Sequence, residues 1–237
     1  MRRTERDNLL LQTLGNFGVL STAQLGNLFF PRVKRTTVLR RLRKLRLAGY
    51  MRQIVNSESK EIVWAISNRG AQSVGLTRWI GSVNKNSLMH DLLFADIRIS
   101  LGRSKIGDSW VSEWEMKKEL GRSFAHNPMI KPVIPDAVFS VDVGSAIKTY
   151  ALELELSAKA RKRYEEIFFR YRVAGFSGVL YLVSSPKMGE MLADIWQGRG
   201  NRIPFGWTLH DEVLTDPSTA RVRCTDEVYL LNYWLKG

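Results

Sequence analysis

Two glutamates at alternate positions of an apolar segment are the residues of this sequence best suited to chemistry. Segment 148–156 alternates leucines with Glu153 and Glu155, and a period of two is typical of a β-strand. The two carboxylates then lie on one face about 7 Å apart, where their mutual repulsion favours a neutralising cation. A third carboxylate, Asp136, heads the preceding predicted strand, 137–143. Hard oxygen ligands of this kind suit Mg²⁺ or Mn²⁺.

A basic side chain follows these carboxylates. Lys159 stands four residues after Glu155, at the start of a predicted helix over 158–174, and its ammonium group is suited to holding a scissile phosphate. A second interpretation stays open, in which both glutamates face solvent and pair with Arg161 or Lys162.

Other catalytic chemistries fit the sequence less well. Tyr164 and Tyr171 lie on the apolar face of the predicted helix, so we interpret them as core residues before nucleophiles. The histidines are isolated from one another, and each is interpreted as structural before metal-ligating: His90, His126 and His210. The sequence has no P-loop, and its single cysteine excludes an internal disulfide framework and a cysteine-based zinc site.

A mixed α/β core is predicted to position the carboxylates. Strands are predicted at 110–116, 137–143, 148–156 and 178–183, and helices at 87–100, 158–174 and 187–196. The run 178–183 is almost entirely apolar, which is typical of a buried central strand.

Positive charge is concentrated at the N-terminal end of the chain. The 237 residues carry a formal net charge of +13, and residues 1–75 hold 14 basic and 4 acidic side chains. No acidic residue occurs between Asp7 and Glu58. A block of one sign favours a polyanionic partner, because each neutralised phosphate releases counterions. We therefore predict binding to double-stranded DNA rather than to a membrane surface, which requires a wide apolar helix face with aromatic anchors.

The same block has the element order of a winged helix-turn-helix. Helices are predicted over 5–15, from Thr22 to Phe29 and over 34–48, and Ser21 with Gln24 predicts a capping box. A β-hairpin, 50–55 and 61–66 with a polar tip, follows. Folds of this type lay their third helix in the major groove of DNA.

The third predicted helix has an apolar face and a basic face. Its apolar face holds Val38, Leu39, Leu42 and Leu45. The candidate DNA-binding residues are Thr36, Thr37, Arg40, Arg41, Arg43 and Lys44 on the helix, with Arg52 and Lys60 on the wing. The alternative is a solvated basic helix that binds nothing.

The carboxylate pattern resembles a nuclease motif. Pro135-Asp136, Glu153-Leu154-Glu155 and Lys159 are similar in order to the PD-(D/E)xK signature, with Glu155 at the position where a lysine normally stands. The resemblance implies that Asp136, Glu153, Glu155 and Lys159 are catalytic, and that the three carboxylates with Glu113 hold Mg²⁺ or Mn²⁺.

Over nearly its full length the chain resembles the replication-relaxation family, which includes the MobC-type relaxases of mobilisable plasmids. The resemblance rests on the winged helix, Leu88-Met89-His90-Asp91-Leu92, Glu113-x-Glu115, Pro-Asp, Glu-x-Glu-x-Ser-x-x-Lys and Arg163-Tyr164. It implies a metal-dependent endonuclease, a hydrolase that binds an origin of transfer and relaxes supercoiled DNA during conjugation, together with an accessory relaxosome protein. His90 and Arg163 are then supporting residues.

We therefore predict an α/β (α+β) chain with a winged helix-turn-helix domain at 1–75 and a PD-(D/E)xK restriction-endonuclease-like mixed-sheet domain at 76–237. We expect no membrane span and a cytoplasmic location, since no long apolar run or signal peptide occurs. The oligomeric state stays open, with a homodimer as one option. A non-catalytic DNA-binding regulator of replication or transcription, with an inactive nuclease-like domain, is the alternative function.

Overall fold

The computed structural model describes residues 2–54, 61–77, 79, 83–107, 109–123 and 132–237, and the chain divides into two compact units, Met1–Asp96 and Ile97–Gly237. The helices are α1 (Glu5–Phe17), α2 (Thr22–Phe29), α3 (Arg35–Leu47), α4 (Asn68–Ser73), α5 (Leu88–Arg103), α6 (Glu113–Ser123), α7 (Arg161–Tyr171), α8 (Pro186–Gln197), α9 (His210–Thr215) and α10 (Leu231–Lys236). The strands are β1 (Val19–Ser21), β2 (Met51–Ile54), β3 (Val63–Ile66), β4 (Ser109–Ser112), β5 (Ala137–Asp142), β6 (Ile147–Glu155), β7 (Gly178–Val183), β8 (Phe205–Leu209), β9 (Arg221–Arg223) and β10 (Val228–Leu230). None of the helices described is both long and apolar enough to cross a membrane.

The first unit is a winged helix-turn-helix. The predicted capping box of α2 is confirmed, since Ser21 N donates to Gln24 Oε1 (2.8 Å) and Gln24 N donates to Ser21 Oγ (3.1 Å). Helix α3 buries Val38, Leu42 and Leu45, three of the four residues of its predicted apolar face. The chain then leaves α3 through Gly49 at a φ of 79°, a conformation that glycine adopts without strain.

A small antiparallel sheet completes this unit. Strands β2 and β3 form the predicted hairpin, whose tip (56–60) lies outside the described residues. Strand β1 pairs with the other edge of β3, so the described order is β1-β3-β2. Strand β1 is not predictable from the sequence, because three residues carry too little periodicity to indicate a strand.

The second unit is built on a mixed sheet, and the predicted fold class is confirmed. Seven strands are described in it, in the order β10-β9-β8-β7-β6-β5-β4. Strands β6, β7 and β8 run parallel, while β5 pairs antiparallel with β6. Helices α7 and α8 cover one face of the sheet, where their side chains pack with Ala151, Val179 and Tyr181.

The opposite face of the sheet carries a row of aromatic rings. Trp110, Phe139 and Tyr150 are register partners on three neighbouring strands, and their ring centroids lie 5.9 and 5.7 Å apart. Trp234 of α10 continues the row, 5.3 Å from Tyr150. The odd-numbered residues of β6 therefore face α7, and the even-numbered residues face this row.

One predicted strand is wrong in its second half. The segment 110–116 is a strand only as far as Ser112, and Glu113 begins helix α6. Glu115 Oε2 accepts hydrogen bonds from the N–H and the hydroxyl of Ser112, at 2.9 and 2.6 Å. Such a glutamate satisfies a donor at the start of a helix, so the local hydrogen bonds favour helix over strand here.

Along the sequence, the first unit ends and the second begins within α5. Leu88 and Leu92 belong to the first unit, where they pack with Val19, Val63 and Ala65. The division at 96/97 therefore lies further along the chain than the domain boundary predicted at 75/76.

Candidate functional site

The pairing of β5 with β6 brings two carboxylates together. Ala137 is the register partner of Leu152 in this antiparallel pair, so one step further Asp136 lies opposite Glu153. Asp136 Oδ2 accepts a hydrogen bond from the backbone N–H of Leu154 at 2.8 Å, which fixes the aspartate beside the end of β6. Both side chains belong to the sheet face that α7 covers.

Glu155 and Lys159 form an ion pair at the end of the same strand. The Lys159 ammonium group donates to Glu155 Oε2, and the Glu155 side chain is 7% exposed. The prediction that Lys159 lies in the first turn of the following helix is wrong, because α7 begins at Arg161. Lys159 instead precedes the helix, where its backbone N–H donates to the Tyr164 hydroxyl at 2.9 Å.

Glu153 is electrostatically strained. Burial raises the pKa of its carboxyl well above the ordinary value, and the charges of Asp136 and Glu155 raise this pKa further. The hydrogen bond from Tyr171 and the charge of Lys159 oppose the rise without cancelling it. A cation bound beside Glu153 would relieve this strain, since a positive charge favours the ionised carboxylate.

Two tyrosines lie beside Glu153, and neither was among the predicted site residues. Tyr171 donates to Glu153 Oε1, and Tyr181 is the register partner of Glu153 on β7. Burial, followed by the charge of Glu153, raises the pKa of both phenols well above the ordinary value, so both stay protonated at neutral pH. Tyr164 and Tyr171 are fully buried core residues, as predicted, but each also carries a polar group that needs a partner. The need of a buried hydroxyl for a partner is the sequence signal that could have placed these tyrosines near the carboxylates.

Two of the four predicted carboxylate ligands, rather than all four, fit a hard divalent cation. Within the described ranges, no three His, Cys, Asp or Glu side chains are grouped so as to hold a metal ion. Glu155 is paired with Lys159, and Glu113 lies on α6 paired with Lys117 rather than on the predicted strand. Asp136 and Glu153 remain, and Mg²⁺ is commonly bound through one or two carboxylates with waters and substrate phosphates.

Helix α3 presents a basic surface to solvent. Five of its six predicted DNA-binding side chains are exposed: Thr36, Thr37, Arg40, Arg43 and Lys44. We call this set the α3 basic face. No acidic residue occurs in α3, so these charges are not offset along the helix.

Arg41, the sixth predicted DNA-binding residue of α3, is bound to another part of the protein and corrects the predicted set. Its guanidinium group donates to both oxygens of Asp7, with Nε at 2.9 Å from Oδ1. The Asp7 side chain is fully buried, and it also closes a capping box with Thr4 at the start of α1. Arg41 therefore joins α3 to α1 instead of facing a ligand.

The remaining predicted site residues have local roles in the structure. Arg52 lies on β2, where its Nε donates to Ile66 O at 3.4 Å, and Lys60 is outside the described residues, as is His126. His90 lies on α5 against Asp91, at 3.4 Å, and stacks on Phe94. Arg163 is exposed on α7 and pairs with Glu166 at 3.6 Å.

Two solved structures resemble parts of the chain. One is a zinc-responsive MarR family member, ZitR of Lactococcus lactis, with 12% identity and a TM-score of 0.28 over 53% of this chain and 74% of that chain. The other is the restriction endonuclease FokI bound to DNA, with 10% identity and a TM-score of 0.29 over 89% of this chain and 43% of that chain. Both TM-scores are low, so the fold assignment rests on the element order and strand pairing of this chain.

A clearer relationship comes from the sequence. No curated protein matches the chain. The family described as replication-relaxation matches residues 11–175, which is more than half of the sequence. This match agrees with the resemblance found in the motifs, and the chain belongs to the replication-relaxation family.

Proposed function

We propose that this protein is a plasmid mobilisation relaxase, which binds an origin of transfer through its first unit and nicks supercoiled DNA with the carboxylates of its second unit. The observation that carries the proposal is the position of Asp136 opposite Glu153, with the Lys159–Glu155 pair at the end of the same strand. Membership of the replication-relaxation family supports it. An accessory relaxosome protein belongs to the proposal as a partner.

DNA binding is assigned to the α3 basic face. Helix α3 is the third helix of a winged helix-turn-helix, the one that folds of this type insert into the major groove. Its exposed arginines and Lys44 neutralise phosphates or donate to base edges, and Thr36 and Thr37 at its first turn can contact either. Buried Val38, Leu42 and Leu45 hold the helix so that this face stays outward.

Strand cleavage is assigned to the end of β6. Asp136 and Glu153 would hold Mg²⁺ or Mn²⁺, which when bound stabilises negative charge on a phosphate and activates a nucleophile. The Lys159 ammonium group offers the scissile phosphate a positive charge next to these carboxylates. Glu155 holds Lys159 in place through the ion pair, which gives Glu155 a positioning role in this arrangement.

The experiment is a nicking assay on supercoiled plasmid carrying the cognate origin of transfer, with and without Mg²⁺ or Mn²⁺. We expect the wild-type protein to produce open circles only with metal, and Asp136→Asn to abolish nicking while DNA affinity stays within about twofold, because the α3 basic face is unaltered. The Asn variant keeps the shape of the side chain and removes the charge that a metal requires. Asp142→Asn, at the exposed far end of β5, is the matched control and should nick normally.

A non-catalytic DNA-binding regulator is the second candidate function. One observation favours it: within the described residues Asp136, Glu153 and Glu155 all have hydrogen-bonding partners from the protein itself. If wild-type protein binds the origin but never nicks it with either metal, the regulator is the better description. If Asp136→Asn nicks at the wild-type rate, the assignment of cleavage to Asp136 and Glu153 is wrong.

A further inference from the structure

The hydrogen bond between α7 and β6 defines a further role at the carboxylate site. We infer that Tyr171 is a positioning residue, whose hydroxyl orients the Glu153 carboxylate so that Asp136 and Glu153 can share one divalent cation. The inference rests on the proposed function, and it adds a residue that the nuclease motif does not contain.

The Tyr171 ring is held rigidly. Its side chain has no exposed surface, and its ring centroid lies 5.9 Å from that of Phe176 and 6.1 Å from that of Trp196. A ring enclosed in this way cannot change rotamer without opening the core between α7, α8 and the sheet. The hydroxyl therefore occupies a fixed point, and Glu153 Oε1 is tied to that point.

Each of the two carboxylates accepts a hydrogen bond from a rigid part of the protein. Tyr171 engages Oε1 of Glu153, and the N–H of Leu154 engages Oδ2 of Asp136. These bonds hold two mutually repelling groups side by side. Donors of this kind around metal ligands set the orientation of the ligands, and their loss weakens metal binding.

Burial of a tyrosine hydroxyl does not by itself explain this geometry. Tyr150 shows the difference, since it lies on the same strand as Glu153 and its hydroxyl donates to the backbone carbonyl of Leu235 at 2.7 Å. A backbone partner satisfies the hydroxyl without affecting any side chain. Tyr171 instead donates its hydroxyl hydrogen to the Glu153 carboxylate, which lies opposite Asp136.

The test is the Tyr171→Phe variant of the full chain, assayed for Mn²⁺ binding by isothermal titration calorimetry without DNA. We expect a Kd for Mn²⁺ about 10- to 100-fold weaker than that of the wild type. Nicking should need correspondingly more Mn²⁺ for half-maximal rate, and recover toward the wild-type rate at saturating Mn²⁺. DNA affinity should not change.

Tyr150→Phe is the matched control, since it also removes one buried hydroxyl and one hydrogen bond from the second unit. It should lower the melting temperature about as much as Tyr171→Phe and leave the Kd for Mn²⁺ unchanged. A loss of Mn²⁺ affinity in Tyr150→Phe equal to that in Tyr171→Phe would show a structural effect only and overturn the inference.

A double-mutant cycle with Glu153→Gln separates this inference from the proposed function. In Glu153→Gln the ligand itself is impaired, so adding Tyr171→Phe should weaken Mn²⁺ binding by less than about twofold further. Full additivity, or wild-type affinity in Tyr171→Phe alone, overturns the positioning role while nicking by the wild type leaves the proposed function standing. Wild-type protein that binds no Mn²⁺, or that loses no affinity in Glu153→Gln, overturns both.

Discussion

The contact between Asp7 and Arg41 joins α1 to the third helix and adds to the apolar packing that holds this helix. Asp7 caps α1 through Thr4, and both of its oxygens accept hydrogen bonds from Arg41 of α3. Burial alone would raise the pKa of the Asp7 carboxyl, but the hydrogen bonds from Arg41 and Thr4 together hold this pKa below the ordinary value. The helix that carries the α3 basic face is thus tied to a carboxylate 34 residues away.

Replacing Asp7 by Asn should lower the free energy of unfolding by about 1.5–3 kcal/mol at pH 7, the usual size of a hydrogen bond to a charged group. Because the folded-state pKa of Asp7 is depressed, its stabilisation is present above the ordinary pKa of 3.8 and is lost as pH falls through the folded-state pKa. Urea denaturation from pH 7 to pH 3 measures both effects. The difference between wild type and variant should shrink with acid.

The neighbouring Glu5 provides the control for this measurement, since it is exposed on the same helix. Glu5→Gln should change stability by less than about 0.5 kcal/mol, as is typical of surface substitutions. A difference between wild type and Asp7→Asn that stays constant down to pH 3 would contradict the electrostatic origin of the effect.

At the scale of elements, helix α4 packs closely against the turn after α3 because Gly70 has no side chain. A Cβ atom at Gly70 would lie 1.9 Å from the backbone oxygen of Tyr50 and 2.9 Å from Ile66. Backbone cannot yield as a flexible side chain does, so α4 would have to move. Gly26 in α2 is the contrasting position, since a Cβ atom there would have nothing within 4 Å.

We therefore expect opposite effects from two identical substitutions. Gly70→Ala should lower the free energy of unfolding by about 1–3 kcal/mol through overpacking, whereas Gly26→Ala should raise it by about 0.5–1 kcal/mol through its better helix propensity. Thermal or urea denaturation of both variants decides this. Equal effects of the same sign would show that the packing of α4 on Tyr50 is not tight.

The α3 basic face leads to a prediction about DNA affinity. Arg40 and Lys44 are exposed one turn apart on α3, so Arg40→Ala with Lys44→Ala should weaken DNA binding by about 1–3 kcal/mol for each of the two side chains that touches a base edge. The slope of log affinity against log salt should become shallower as well. Fluorescence anisotropy over a range of salt concentrations measures both.

The control for this pair removes the same charge elsewhere. Arg170→Ala with Arg172→Ala lowers the net charge equally in the second unit, and Arg172 is exposed there. If that variant binds DNA as weakly as the α3 variant, binding depends on overall charge and α3 is not the reading helix.

The elements with long, regular sequence patterns were predictable. The alternation in β6, the apolar run of β7 and the amphipathic α7 each span several structural periods, so their type was predictable. Helix α6 was not predicted because the strand-like alternation of segment 110–116 outweighed the Ser112–Glu115 spacing, which by itself predicts a helix start.

The site was only partly predictable for a different reason. Glu153 and Glu155 share a face by local geometry, which any strand dictates. Their partners depend on tertiary structure: the β5–β6 register places Asp136, and the packing of α7 places the Tyr171 hydroxyl. Arg41 was misassigned for the same reason, since an exposed-looking helix position became the partner of a buried aspartate in another helix.

At the scale of the whole molecule, the proposed tasks fall on separate units. The α3 basic face belongs to Met1–Asp96, and the paired carboxylates belong to Ile97–Gly237. The larger C-terminal part of the sequence is nearly balanced in charge, since residues 76–237 hold 22 basic and 19 acidic side chains. Binding and cleavage should therefore be separable by mutation.

The extent of the first unit can be tested with two fragments. Leu88 and Leu92 are 1% and 8% exposed, and they pack on the small sheet of the first unit with Val19 and Val63. The backbone oxygen of Leu92 also accepts a hydrogen bond from Gln24 at 2.8 Å, which supports the helix before the α3 basic face. A fragment of residues 1–75 lacks all of these interactions, and a fragment of residues 1–96 keeps them.

We expect fragment 1–96 to fold and bind double-stranded DNA with a steep dependence on salt, because it keeps the α3 basic face. Fragment 1–75 should be less stable by about 2–5 kcal/mol, the usual effect of removing a large buried aliphatic side chain. Circular dichroism melts and anisotropy titrations compare the two. Leu88→Ala within fragment 1–96 should reproduce part of the destabilisation, while Met89→Ala, at an exposed neighbouring position, should not. Equal stability of both fragments would instead mean that the winged helix is complete before α5, and that the first half of α5 adds nothing to it.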